Sequence, residues 1–326
     1  MWLGDEPIEG SAEGVRHLRG RGVEIAFFTN NSSLTIDSYV KKLRAMGVDV
    51  RGEEILSSAQ SAADLLDAGM TAVVCGGPGV VEALTARGVV IVDRGPADAV
   101  VVGWHTDFDF SRLETATDAV LAGAVLIGTN DDATYPVRGR LRPGAGAILA
   151  SVAYATGTDP LIAGKPNRPA VEMLLRRVGR PRVVVGDRPE TDGELARKLG
   201  AQFALVLSGV SMQGGFGTRD GVGTEGGPPG QGVWPGHSVL PGRAPSEHAA
   251  SGRAPSGGRR GVPTDVRDGR TSTTATARSM TKTEKTTKKG SSRRPRSRPD
   301  ASAPDLVTLV REVLDGRLLA GSLESS

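Results

Sequence analysis

The sequence predicts an α/β protein built on a parallel sheet, and three observations predict it. Short apolar runs alternate with amphipathic stretches from about residue 4 to 210. The runs are nearly continuous in Val, Ile, Leu and Ala, as in strands covered on both faces. Glycine-rich and polar turns separate each run from a stretch of helical period.

The elements follow in order. Residues 11–20 read as a helix and 23–28 (VEIAFF) as a strand. Helices over 36–46 and 58–67 come next. Strand 72–75 (AVVC) leads to helix 78–87, which opens with Pro78, a residue favoured at the first helical position. Strand 99–102 (AVVV) precedes helix 111–121, and strand 124–127 (AVLI) precedes helix 145–156. Strand 161–163 precedes helix 168–178, which has a start signal in Asn167 and Pro169 and a stop in Gly179. Strand 182–185 (RVVV), helix 191–199 and strand 203–207 (FALVL) complete the body.

Beyond residue 211 this pattern stops. Residues 212–300 hold 17 Gly and 9 Pro, repeat GRAPS at 242–246 and 252–256, and end in a basic run. Too few apolar residues remain to offset the entropy of ordering, so disorder is expected. Pattern returns at Pro304, and Asp305 caps a helix over 305–316. The expected organisation is therefore a core in two parts (1–67 and 161–211), an inserted α/β segment (68–160), a disordered basic insert (212–302) and a terminal core helix (303–318).

Composition narrows the chemistry. The chain has 326 residues, 38% hydrophobic and 24% charged. No apolar run reaches the ~18 residues of a membrane span, and MWLGDEPIEG carries no secretory signal, so a cytoplasmic protein is expected. One cysteine, Cys75, excludes an internal disulfide framework and a cysteine-built zinc site. The four histidines are scattered, so a metal would be a hard ion on carboxylates, such as Mg2+. The net charge of +3 hides an acidic body, because 212–300 carries 16 Lys+Arg against 7 Asp+Glu. That insert suits loose attraction to polyanions. Its run 282–298 has no aromatic residue for base stacking, so nucleic acid is not an expected partner.

Three strand tips carry the polar residues. In an open parallel sheet, ligands bind outside the carboxyl ends of the strands. After FF come Thr29, Asn30, Asn31 and Ser32, whose hydroxyls, amides and turn N–H groups suit phosphate oxygens. The same residues suit a capped strand-to-helix turn. Lys165, in LIAGKPNRP, stands between a strand and a helix and can neutralise a phosphate as a point charge, or sit solvated in its loop. Asp187 follows VVVG, and Asp192 opens the next helix. Two carboxylates at one tip repel without a cation, so Mg2+ is their natural partner; alone, Asp192 also reads as an ordinary first-turn acid.

TNN, GKP and GDRPETD, each at a strand tip and in this order, resemble the haloacid dehalogenase (HAD) superfamily, and within it the NagD-like, 4-nitrophenylphosphatase-like subfamily. GDEPIEGSAE, SSAQSAADLL, GTNDDATYP and RPGAGAILA support the resemblance, which covers about 2–210 and 303–316. It implies a Rossmann-like core carrying an α/β cap, and Mg2+-dependent hydrolysis of small phosphorylated metabolites through an aspartyl-phosphate. On it, Thr29 and Asn30 hold phosphoryl oxygens and Lys165 stabilises the charge. Asp187 ligates Mg2+ and Asp192 supports it. The cap loop brings Tyr135 to the leaving group, with Asn130 and Asp132 as supports. Caps of this class often form a homodimer.

The resemblance also places a DxDGV motif, carrying the nucleophile and the acid/base aspartate, immediately ahead of Trp2. No DxDGV occurs in the chain, and Asp5 and Glu6 follow no strand. The expectation is a start site placed too late, with the chain as given inactive and short of a central strand between 23–28 and 182–185. Smaller signals complete the reading. Trp104 and His105 read as packing. Cys75-Gly76-Gly77-Pro78-Gly79 resembles a dinucleotide loop but has Glu82 where a third small residue belongs. Cys75 reads as buried and inert.

Overall fold

Apolar runs become strands, and each polar turn delivers its residues to a strand end. The computed structural model describes residues 1–3, 6–137, 140–208 and 299–314. The basic insert, apart from its last residues, and Asp5 lie outside the described residues.

In chain order the elements are β1 (Trp2–Leu3), β2 (Glu6–Pro7), α1 (Ser11–Gly20), β3 (Phe27–Thr29), α2 (Ile36–Ala45), β4 (Ile55–Ser57) and α3 (Ser58–Ala63). Then come β5 (Thr71–Cys75), α4 (Pro78–Ala86), β6 (Val90–Ile91), β7 (Ala99–Val102), α5 (Phe110–Leu121) and β8 (Val125–Gly128). The hairpin β9 (Thr134–Val137) and β10 (Arg140–Pro143) precedes α6 (Ala145–Thr156), β11 (Leu161–Ile162), α7 (Arg168–Arg177) and β12 (Val183–Gly186). After α8 (Glu194–Leu199) and β13 (Gln202–Val206), the described chain resumes with β14 (Ala301–Ala303) and α9 (Leu306–Leu314).

The cap segment carries a five-stranded parallel sheet in the order β11-β8-β7-β5-β6, whose edge strand Leu161–Ile162 is expected from the sequence in the second part of the core. All four residues of β7 are buried, because helices cover both of its faces. The remaining parallel strands form two ladders, β3 with β4 and β12-β13-β14. Phe28 of β3 and Val184 of β12 share one apolar cluster with Leu56, Met173, Leu174, Leu195 and Leu199. Among the described residues no ladder joins β3 to β12. Val185 of β12 is 42% exposed, whereas its neighbour Ala204 in β13, paired on both sides, is fully buried.

Several elements differ from expectation. The strand at 23–28 shrinks to β3, because only 27–29 finds a partner, β4. Helix 58–67 stops at Ala63. The helix expected from 191 is preceded by a π turn (Pro189–Gly193), in which the Arg188 carbonyl accepts the N–H groups of Thr191, Asp192 and Gly193. Ala301–Ala303, the end of the stretch read as insert, is instead strand β14 on β13.

The glycine loop before α4 serves packing. A Cβ on Gly79 would overlap the Leu34 carbonyl oxygen, and one on Gly77 would crowd Ser33. The Gly79 N–H donates to Ser33 O at 3.1 Å. Glu82, the residue that spoils the dinucleotide pattern, accepts the Ile36 N–H at 2.7 Å. It supplies an acceptor and a negative charge to the N-terminus of α2, where both are favoured.

Candidate active site

The site forms where β3 and β12 end and the β8–β9 loop of the cap segment reaches them. Beyond β3 the chain turns tightly. Thr29 Oγ1 accepts the Asn31 N–H, and Asn31 Oδ1 accepts both the N–H and the hydroxyl of Ser33. Tyr39, almost fully buried, donates to Asn31 O at 2.8 Å. Burial raises its phenol, and the nearby Tyr135 raises it further.

Asn30 is the hub. Its Oδ1 accepts the Lys165 N–H at 2.8 Å, and its Nδ2 donates to Lys165 O at 3.2 Å and to Asp132 Oδ2 at 3.5 Å. Its carbonyl accepts from Asn130 Nδ2 and from the Ser58 hydroxyl. The Asn30 side chain thus braces the lysine loop against the cap loop.

Lys165 reaches across the gap between the two ladders. Its Nζ donates to Phe28 O at 3.1 Å and to Asp192 Oδ1 at 2.7 Å. The second oxygen of Asp192 accepts the Arg188 N–H at 3.3 Å. A Cβ at Gly186 would collide with the Asp192 carboxylate, so the glycine makes room for it. Asp187 closes the same corner. Burial opposes the charge of Arg188, but Asp132, Asp192 and Asp187 outweigh it and hold the guanidinium firmly protonated. Burial lowers the amino group of Met1, and Asp187 and Asp192 offset this only in part.

On the cap side, Asn130 Oδ1 accepts the Asp132 N–H, and Asp132 Oδ1 takes Arg188 Nη1 at 2.8 Å. Tyr135, on β9, stacks on Trp104 with ring centroids 4.9 Å apart. Trp104 donates to Pro143 O, as the packing reading expects. His105 bridges Cys75 Sγ and Asp107.

Of the expected residues, Asn30, Asn130, Asp132, Lys165 and Asp192 are joined by hydrogen bonds, Thr29 lies in the adjoining β3 turn, Asp187 acts on Arg188, and Tyr135 packs on Trp104. Two others take part that sequence reading did not single out, Arg188 and Ser58. Arg188 stands inside the GDRPETD motif, but its partner Asp132 lies 56 positions away and no local signal links them. Among the described residues no three His, Cys, Asp or Glu side chains gather as a metal cluster. Asp187 offers hard oxygen donors, which fits an ion that takes one or two carboxylates and completes its shell with water and phosphate, while the Asp192 oxygens accept from Lys165 and the Arg188 N–H.

A family of haloacid dehalogenase-like hydrolases matches residues 1–90, and a HAD-hydrolase-like family matches 162–218. An acid sugar phosphatase of Staphylococcus aureus is 33% identical over 217 residues, covering 65% of this chain and 84% of that protein. The chain is a haloacid dehalogenase-like hydrolase. Two solved structures extend the likeness of this HAD hydrolase. A glycerol phosphate phosphatase from Mycobacterium tuberculosis, in complex with magnesium, superposes with a TM-score of 0.60 at 34% identity. That match covers 64% of this chain and 65% of the other, just under two thirds of its length. A p-nitrophenyl phosphatase from Archaeoglobus fulgidus also gives 0.60, at 31% identity, covering 64% of this chain and 84% of the other. By this resemblance the HAD hydrolase falls among the phosphoric monoester hydrolases. Among its described residues no helix is long and apolar enough to cross a membrane.

Proposed function

We propose that this HAD hydrolase binds the phosphoryl group of small phosphorylated metabolites together with Mg2+. One observation carries the reading. The Lys165 ammonium is held between the end of β3 and Asp192, at the strand tips where an open parallel sheet binds its ligands, and can neutralise a dianionic phosphate monoester there. The relatives, named for sugar phosphate and glycerol phosphate, support the substrate class.

In this reading Thr29, through its hydroxyl, and Asn30 hold phosphoryl oxygens, as the resemblance implies. Lys165 neutralises their charge, and Asn30 fixes Lys165 through its backbone. Asp187 is the carboxylate that would hold Mg2+, with Asp192 in support, while Asp192 also anchors Lys165. When bound, Mg2+ supplies further charge neutralisation at the phosphoryl oxygens. Tyr135, beside Asn130 and Asp132, borders the leaving group. The cap segment leaves Phe110, Leu121 and Tyr154 exposed, a surface consistent with a homodimer.

A second reading is a non-catalytic homologue, which binds phosphate without forming an aspartyl-phosphate. Calorimetry with inorganic phosphate, with and without Mg2+, tests binding. Phosphate should bind more tightly with Mg2+, and Asp187→Asn should remove that Mg2+ effect. Equal binding in wild type and Asp187→Asn defeats the metal assignment. Release of nitrophenol from 4-nitrophenyl phosphate overturns the inactivity.

A further inference from the structure

We propose that Asp132 and Arg188 form a buckle that fastens the cap loop to the metal-site loop, and so sets how far Tyr135 reaches over the phosphoryl group. The proposal rests on the phosphate-site reading above.

The observations are geometric. Asp132 belongs to the cap segment, yet its carboxylate accepts from Arg188 at 2.8 Å and from Asn30 at 3.5 Å, both residues of the core. The Asp132 carboxylate is 18% exposed and the Arg188 side chain 39%, so the bond is shielded on its aspartate side. Arg188 is bound at both ends. Its backbone shapes the π turn and donates to Asp192, while its side chain leaves the turn for the cap. A shift of Asp132 therefore pulls on the backbone that carries Asp187.

The cap loop is also stiffened from behind. The Gly146 N–H donates to Asp132 O, and the Gly144 N–H donates to Ala133 O. A Cβ at Gly144 or Gly146 would strike the carbonyls of Asp132 or Asp131, so α6 abuts this loop backbone directly. Two residues beyond, Tyr135 stacks on Trp104 and lies near enough to act on Tyr39. Fixing Asp132 to Arg188 therefore fixes the start of the hairpin that carries Tyr135. Asp132 is thus a positioning residue, with both oxygens engaged by the core, and Arg188 acts through it.

Hydrogen exchange and ligand binding on the full chain test this together. Exchange of the backbone amides of Ala133, Thr134, Tyr135 and Val137 should rise roughly tenfold in Asp132→Ala and in Arg188→Ala, because each opens the same charge-assisted bond. The double variant should exchange no faster than either single one. Binding is compared for phenyl phosphate and inorganic phosphate, both with Mg2+. Preference for phenyl phosphate should fall in both single variants and return in part with Asp132→Glu. Two outcomes overturn the proposal: exchange that rises additively in the double variant, or a preference lost in Asp132→Ala and kept in Arg188→Ala, which makes Asp132 a direct ligand contact. If wild type binds neither phosphate, the phosphate-site reading fails, while the exchange result still decides for or against the buckle.

Discussion

The ammonium of Lys165 and the carboxylate of Asp192 meet at 2.7 Å with both side chains almost covered, at 13% and 9% exposed. Each partner is otherwise satisfied, Lys165 by Phe28 O and Asp192 by the Arg188 N–H. Such a pair adds little beyond a well-packed apolar substitute, but breaking it strands one charge in a shielded place.

Lys165→Met should therefore cost about 3–5 kcal/mol of stability, read by urea unfolding, because Asp192 loses its counter-ion. Adding Asp192→Asn should return most of that loss. Neither variant should bind inorganic phosphate in calorimetry. Phosphate bound by the double variant would remove Lys165 from the proposed site.

Cys75 predicts a pH dependence. Burial pushes its thiol up from 9.0 to about 12. The folded state keeps its proton where the unfolded state has lost it. Its contribution to stability is complete below about pH 9 and is lost as pH rises towards 12, with a slope of up to about 1.4 kcal/mol per pH unit. Urea midpoints measured from pH 8 to 11 should fall in wild type and flatten in Cys75→Ala. Ellman's reagent at pH 8 should react with Cys75 only as the protein unfolds. Fast labelling of the native protein would show the thiol accessible.

Gly79→Ala should destabilise by about 1–3 kcal/mol, since its methyl group overlaps the Leu34 carbonyl and neither backbone has room to yield. Gly69→Ala is a contrasting change. It meets nothing within 4 Å and is strained only by its positive φ of 87°. Thermal unfolding should rank Gly79→Ala below both wild type and Gly69→Ala. The reverse order would mean that the joint between α4 and the 32–34 turn can relax.

Much of this fold is written locally. β7 occupies the four residues of the AVVV run because every one of them is apolar and buried. α7 begins after Asn167 with Pro169 in its first turn, as the start signals require. The elements that escaped are those whose stability is borrowed. β4 is three residues of ILS held by its ladder to β3, and β14 is three residues of ASA held by β13. Neither has a pattern long enough to read. The site divides in the same way. Lys165, Asp187 and Asp192 announce themselves at strand tips. The bracing by Asn30 and the ion pair of Arg188 with Asp132 join residues 102 and 56 positions apart, which no local period encodes.

Glu82 has a practical consequence. A residue of the inserted segment completes the first turn of a helix outside it, by accepting the Ile36 N–H. Chimeras that exchange this segment between relatives should therefore carry a carboxylate or amide at the same place. A graft without one would leave α2 frayed beside the turn that leads from Thr29, and would pass a defect in the seam off as a change in substrate preference.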